Sequence, residues 1–136
     1  MKELILDATI DNIQQIIAFA DERLEEIGCP VKIQMQFDVA IDEIVSNIAH
    51  YAYMPDTGKV SVCIEVADNP TSVTITFMDN GVPFDPLQKP DPDVTQTADE
   101  RDIGGLGIYM VKKSMDDIRY ERCGGKNILT IRKAIN

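Results

Sequence analysis

The sequence has no tryptophan, one histidine and three cysteines, Cys29, Cys63 and Cys123, with no CxxC spacing. A zinc site built from His and Cys has too few ligands to form. The odd cysteine count points to free thiols in a reducing compartment. Positive charge is also scarce. The chain has 13 Lys+Arg against 23 Asp+Glu, a formal net charge of −10. Coating a nucleic acid requires clustered Lys and Arg, and an anionic membrane surface requires the same, so neither partner is expected. A small phosphate ligand stays open, because backbone N–H groups and a metal ion hold phosphate without a basic patch. No apolar run approaches the ~20 residues of a membrane span. Met1-Lys2-Glu3-Leu4 lacks the apolar core of a signal peptide, and a cytoplasmic protein is expected. Internal repeats and low-complexity tracts are absent as well.

What is present is ordinary for a folded domain: 136 residues, 44% of them hydrophobic. That length predicts one domain spanning residues 1–136. Lys2 to Leu6 reads as a short edge strand. Asp7 to Gly28 reads as a helix with Thr9 as N-cap, since Ile10, Ile13, Ile16, Ile17, Ala20, Leu24 and Ile27 recur at helical spacing. Gly28 suits a left-handed helix stop. Pro30 opens a second helix predicted to run to about Tyr53. Alternation then predicts a hairpin: Val60, Val62, Ile64 and Val66 in one strand, Val73, Ile75 and Phe77 in the next, joined at Ala67-Asp68-Asn69-Pro70. Residues 80–103 hold four prolines and little periodicity, which predicts a long functional loop. Gly104-Gly105-Leu106-Gly107 is expected to form a turn opening a helix over Ile108–Met115. Strands at about Asp117–Arg122 and Asn127–Lys133 flank Gly124-Gly125. This order predicts an α+β fold, a two-layer α/β sandwich with a mixed, mainly antiparallel sheet covered on one face by helices.

Several of these positions can carry chemistry. Glu43 and Asn47 lie four apart, on one helix face, with His50 near the same stripe. A carboxylate and an amide oxygen so placed can bind Mg²⁺ or orient an attacking hydroxyl; a solvated polar face is the alternative. Asp79-Asn80-Gly81 ends a strand, where Asp can accept from an adenine amino group and Gly lets the base approach. A plain turn has the same sequence. The glycines at 104, 105 and 107 remove Cβ atoms next to a helix N-terminus, which suits a phosphate chain or a hinge. Neither P-loop nor dinucleotide-binding spacing is met. Thr130 by itself reads as an ordinary β-branched strand residue.

Order and spacing together say more. Asp42-Glu43-Ile44-Val45-Ser46-Asn47 is followed by Asp79-Asn80-Gly81-Val82-Pro83-Phe84-Asp85-Pro86. Then come Gly104-Gly105-Leu106-Gly107-Ile108 and Asn127-Ile128-Leu129-Thr130. This series resembles the GHKL ATP-binding superfamily (Bergerat fold), over roughly Thr9 to Ile131. Within it, the chain is similar to stand-alone bacterial anti-sigma factor serine/threonine kinases.

The resemblance implies roles. Asn47 would hold Mg²⁺ against the nucleotide phosphates, and Glu43 would be the general base toward a serine or threonine hydroxyl. Asp79 would read the adenine amino group, with Gly81 making room and Thr130 supporting that end through a water. Gly104, Gly105, Leu106 and Gly107 would cradle the phosphates. An ATP lid would cover about 86–103, with Arg101 or Lys89 as its cation. The implied substrate is a STAS-domain anti-anti-sigma factor, and the implied partner a sigma factor, with the chain a homodimer through its N-terminal strand and first helix. No phosphoacceptor histidine helix is present, so autophosphorylation on histidine is not expected. An ATP-responsive binding switch and a simple ATPase are the competing functions.

Overall fold

The computed structural model describes residues 1–53, 56–88 and 103–135, with backbone alone at 103–106. Strand β1 (Lys2–Asp7) leads into a 3₁₀ turn at Ile10–Asn12 and helix α1 (Ile13–Glu26). Helix α2 (Val31–Asn47) follows and widens into a π turn over Ile48–Ala52. Then come β2 (Lys59–Ala67), β3 (Ser72–Asp79), α3 (Ile103–Ser114), β4 (Asp117–Cys123) and β5 (Lys126–Ala134). The strands form one sheet in the order β1-β2-β3-β5-β4. All four pairings are antiparallel, so the expected mixed character is not found.

Local chemistry explains the boundaries. Gly28 sits at φ +71, and the N–H groups of Gly28 and Cys29 return to the carbonyls of Glu25 and Leu24 at 3.1 and 3.0 Å. This pair of bonds closes α1 where only glycine adopts the left-handed conformation cheaply. Thr9 precedes the first turn in an extended conformation but makes no side-chain cap bond. Asn12 reaches back to the Asp7 carbonyl at 2.9 Å instead. Pro30 stands one residue before α2, as its N-cap, because its fixed φ suits the approach and it has no N–H to satisfy. The glycine series does not precede α3 as a turn. The helix begins at Ile103, so Gly104 to Gly107 form part of its opening turns.

The register divides the sheet into two faces. Leu4, Val62, Phe77, Leu129 and Tyr120 stand side by side on the inner face, as do Ile64, Ile75, Ile131 and Ile118 in the neighbouring row. Helices cover this face, with α2 in contact with both α1 and α3. Phe37, Ile41 and Ile44 of α2 and Ile16 and Leu24 of α1 are fully buried in the shared core. Each such side chain contributes about 1.5–3 kcal/mol through burial. No helix among the described residues is long and apolar enough to cross a membrane.

Candidate nucleotide site

A third inner-face row departs from the apolar rule. It reads Leu6, Val60, Asp79, Asn127, Arg122 from β1 to β4. Asp79 and Asn127 are each only 5% exposed, and a buried polar side chain must find partners. They find each other: the Asn127 amide donates to Asp79 Oδ1 at 2.9 Å. The Gly81 N–H donates to the same oxygen at 2.9 Å. Asp79 Oδ1 is thereby held by two donors, while Oδ2 accepts from no described residue.

Asn127 is the centre of a wider network. Its Nδ2 also donates to the Val82 carbonyl at 2.8 Å, and its Oδ1 accepts from the Phe84 N–H at 3.2 Å and from the Tyr120 hydroxyl. Arg122 donates to the Gly81 carbonyl at 2.8 Å. One strand residue thus ties down the segment from Gly81 to Phe84. The sequence reading missed Asn127, although a signal existed: it shares parity with Leu129 and Ile131, and a polar residue in an apolar register asks for an explanation.

The π turn meets this segment from the other side. Widening the helix leaves the Ala52 carbonyl to accept the Val82 N–H at 2.9 Å. A Cβ on Gly81 would overlap the backbone of Ala52, so only glycine fits. Such turns recur where a helix must be re-aimed at a site. Tyr53 follows directly; its hydroxyl accepts the Asn80 N–H at 2.8 Å and donates to the Lys59 carbonyl at 2.6 Å. Burial pushes the Tyr53 phenol up from its ordinary pKa, with the Asp79 charge adding to it.

These elements line a narrow cleft of about 20 Å³. Phe77 and Leu129 of the sheet and Ile44 and Ile48 of the helical layer supply apolar surface. Asp79, Asn47 and Asn127 are among its polar side chains, and Phe84 and Tyr120 also line it. An apolar slot with a few convergent polar groups suits a flat heteroaromatic ring. Tyr51 stacks on Phe84 outside it, with ring centroids 4.9 Å apart.

Glu43 and Asn47 are brought together as their spacing predicts, with Asn47 Nδ2 3.3 Å from Glu43 Oε1. The amide oxygen of Asn47 is the end a cation would use. A Cβ at Gly107 would overlap the Glu43 carboxylate, which ties the first turns of α3 to the acidic residue of α2. Asp79, Gly81, Asn47, Glu43 and Gly107 therefore share one region. His50 is exposed on the π turn, edge-on to Tyr51, and does not line the cavity.

Thr130 is not part of this region. It pairs with Thr76 and Arg119 on the outer face of the sheet, across from the helices, because β5 turns Asn127, Leu129 and Ile131 inward. The inner position beside Asp79 belongs to Asn127. Gly104, Gly105 and Leu106 are placed by backbone only, in the opening of α3. Arg101, Lys89 and the expected lid beyond Gln88 lie outside the described residues.

Comparison with known proteins agrees with this geometry. The model of the histidine kinase-like ATPase domain matches residues 6–133. The chain belongs to the histidine kinase-like ATPase domain family. Within this GHKL-type family, the serine-protein kinase RsbW of Bacillus thuringiensis is 26% identical over 129 residues, covering 92% of this chain and 73% of that protein. The serine/threonine-protein kinase BtrW of Bordetella bronchiseptica is 25% identical over 100 residues, 74% of this chain and 70% of its own length. Among solved structures, the RsbU and RsbW domains of Rv1364c from Mycobacterium tuberculosis superpose with a TM-score of 0.64 at 19% identity. That match covers 99% of this chain and 33% of the other, and it concerns the fold.

Proposed function

We propose that this histidine kinase-like ATPase domain is an anti-sigma regulatory factor with serine/threonine-protein kinase activity. It transfers the γ-phosphate of ATP to a STAS-type anti-anti-sigma protein and sequesters a sigma factor. Curated relatives that carry kinase names support this reading. The observation that carries it is the Glu43 carboxylate, held beside Asn47 and against Gly107. A binding switch needs no base at that place.

The residues present suit the nucleotide and its metal. The cleft beside Asp79 widens to accept the adenine ring, with Asp79 Oδ2 accepting a hydrogen bond from the exocyclic amino group. Glycine at position 107 leaves the room that the Glu43 carboxylate occupies against the α3 backbone. Asn47 Oδ1 would hold Mg²⁺, an ion that takes one or two protein oxygens and fills its shell with phosphate and water. When bound, Mg²⁺ supplies neutralisation of the phosphate charge. In a chain of net charge −10, nucleotide affinity depends strongly on it. Glu43 accepts the proton from the attacking serine or threonine hydroxyl as its oxygen bonds to the γ-phosphorus and the bond from that phosphorus to the bridging oxygen breaks, releasing ADP. Gly104, Gly105 and Leu106, with Arg101 or Lys89, complete the phosphate end. The protein acts in the cytoplasm, as a homodimer and without direct contact to nucleic acid.

The deciding experiment incubates labelled ATP, Mg²⁺ and the STAS protein encoded nearest to this chain with wild type and with Glu43→Ala. Label on the STAS protein that disappears in the variant supports the kinase. Nucleotide binding with no transfer to any STAS candidate would replace it by the ATP-responsive switch.

A further inference from the structure

Helix α2 contacts both α1 and α3 and turns Phe37, Ala40, Ile41, Ile44 and Val45 into the core. The opposite face points away from the sheet, where a helix packed on one side is normally polar. Along its first half this face is apolar instead. Val31, Met35 and Val39 are 72%, 61% and 59% exposed. Together they expose on the order of 300 Å² of apolar side chain, the scale at which a surface patch is often functional.

The spacing continues past Val39. Val31, Met35, Val39, Glu43 and Asn47 stand four apart and form one ridge of the helix. Such a ridge drifts around the axis by about 40° per step, because four residues overshoot one turn. It starts on the outward face at Val31 and comes round to α3 at Glu43, whose carboxylate lies against Gly107. At its rise per residue, the helix carries Val31 about 18 Å from Glu43. The exposed apolar side chains thus form a track that ends at the proposed base.

That continuity selects the occupant. The nucleotide belongs to the cleft between α2 and the sheet, lined by Ile44, Asn47 and Asp79. It does not extend along the outward face. A molecule that brings a hydroxyl to Glu43 from solvent and also covers about 18 Å of helix is a protein. Charge narrows the choice. Asp42 is exposed beside the last step of the track and accepts from the Ser46 hydroxyl at 3.3 Å. An acidic group there favours a basic side chain on the partner, close to its acceptor hydroxyl. A second copy of this chain, itself at −10, is a poor complement.

We propose that the ridge Val31–Met35–Val39 is the docking surface for the protein substrate of phosphoryl transfer. The substrate lays an apolar strip on these three side chains and a basic side chain beside Asp42, which sets its serine or threonine hydroxyl at Glu43. This rests on the kinase reading above, and binding and transfer are measured separately so that the two can fail separately.

The test uses the full chain with Mg²⁺, ATP and the STAS protein encoded nearest to it, with circular dichroism confirming that each variant is folded. Met35→Glu and Val39→Ser should each raise KM for the STAS protein about tenfold or more, as loss of a central interface side chain does. Their kcat and their KM for ATP should stay at the wild-type values, because docking is lost and not chemistry. Met35→Leu should keep the wild-type KM. A KM for the STAS protein that ignores Met35→Glu and Val39→Ser would overturn the docking surface and leave the kinase standing. If wild type transfers no phosphate, calorimetric titration of the same proteins decides. STAS binding that weakens in Met35→Glu would keep the surface and remove the kinase. No binding, or binding that ignores both substitutions, would overturn both. Self-association or sigma-factor binding lost in Met35→Glu, with the STAS protein unaffected, would give the ridge to that occupant and overturn the proposal.

Discussion

The carboxamide of Asn127 donates to Oδ1 of Asp79 at 2.9 Å, across neighbouring strands and nearly out of reach of water. This bond orients Asp79. With Oδ1 held by Asn127 and by the Gly81 N–H, Oδ2 is the atom left for a ligand. Asn127→Ala should therefore weaken ATP binding although Asn127 is not itself the proposed adenine reader. Leaving buried acceptors short of a donor should also cost about 1–3 kcal/mol of stability. Calorimetric titration and urea unfolding measure the two effects.

Asp79→Asn keeps the size of the side chain and removes its charge. ATP affinity should fall by more than ~1 kcal/mol, the scale of a lost charge-assisted hydrogen bond. Unchanged affinity by calorimetry would show that Asp79 does not read the base.

Gly107→Ala places a methyl group on the Glu43 carboxylate. Phosphate transfer should drop sharply, and more than nucleotide affinity does, because the displaced group is the proposed base. Steady-state kinetics that separate kcat from KM check this. Gly81→Ala meets the backbone of Ala52 and cannot be absorbed by a side-chain shift. A loss of about 1–3 kcal/mol in stability is expected, as for other overpacked sites.

Between α1 and α2, Asp21 Oδ1 and Asp38 Oδ1 are buried and receive no N–H or O–H from the rest of the described protein. Only a proton on one of the two carboxyls can join them. Burial first, and then Asp21 and Glu25, push Asp38 from its ordinary 3.8 up to about 7. The folded protein thus keeps a proton that the unfolded chain releases near pH 4. This contribution to stability is complete below the unfolded value and disappears as pH rises from about 4 to about 7. Asp38→Asn should remove that part of the pH dependence and raise the melting temperature at pH 8. Melting curves of both proteins between pH 4 and 8 decide it.

Much of the fold was legible because its determinants are local. Isoleucine spacing marked α1, alternation marked the β2–β3 hairpin, and Gly28 stopped the first helix where expected. The α2 face carrying Glu43 and Asn47 follows from the helical repeat alone. The site was harder, since it depends on which residues face inward. Parity along β5 could have separated Asn127 from Thr130, but the register that puts Asn127 beside Asp79 is a property of strand pairing. Neither the π turn at Ile48–Ala52 nor the extension of α3 back to Ile103 has a local signature. Both arise where helical backbone adjusts to neighbouring elements.

The sequence by itself determined the scarcity of basic charge, the shortage of His and Cys, the order of helices and strands, and the motifs of an ATP-binding family. These are matters of composition and of short-range periodicity. Only the tertiary structure decided that Asn127 orients Asp79, that Gly107 lies against Glu43, and that Thr130 faces away. Each of these depends on strand register and helix packing, which bring together residues far apart in the chain.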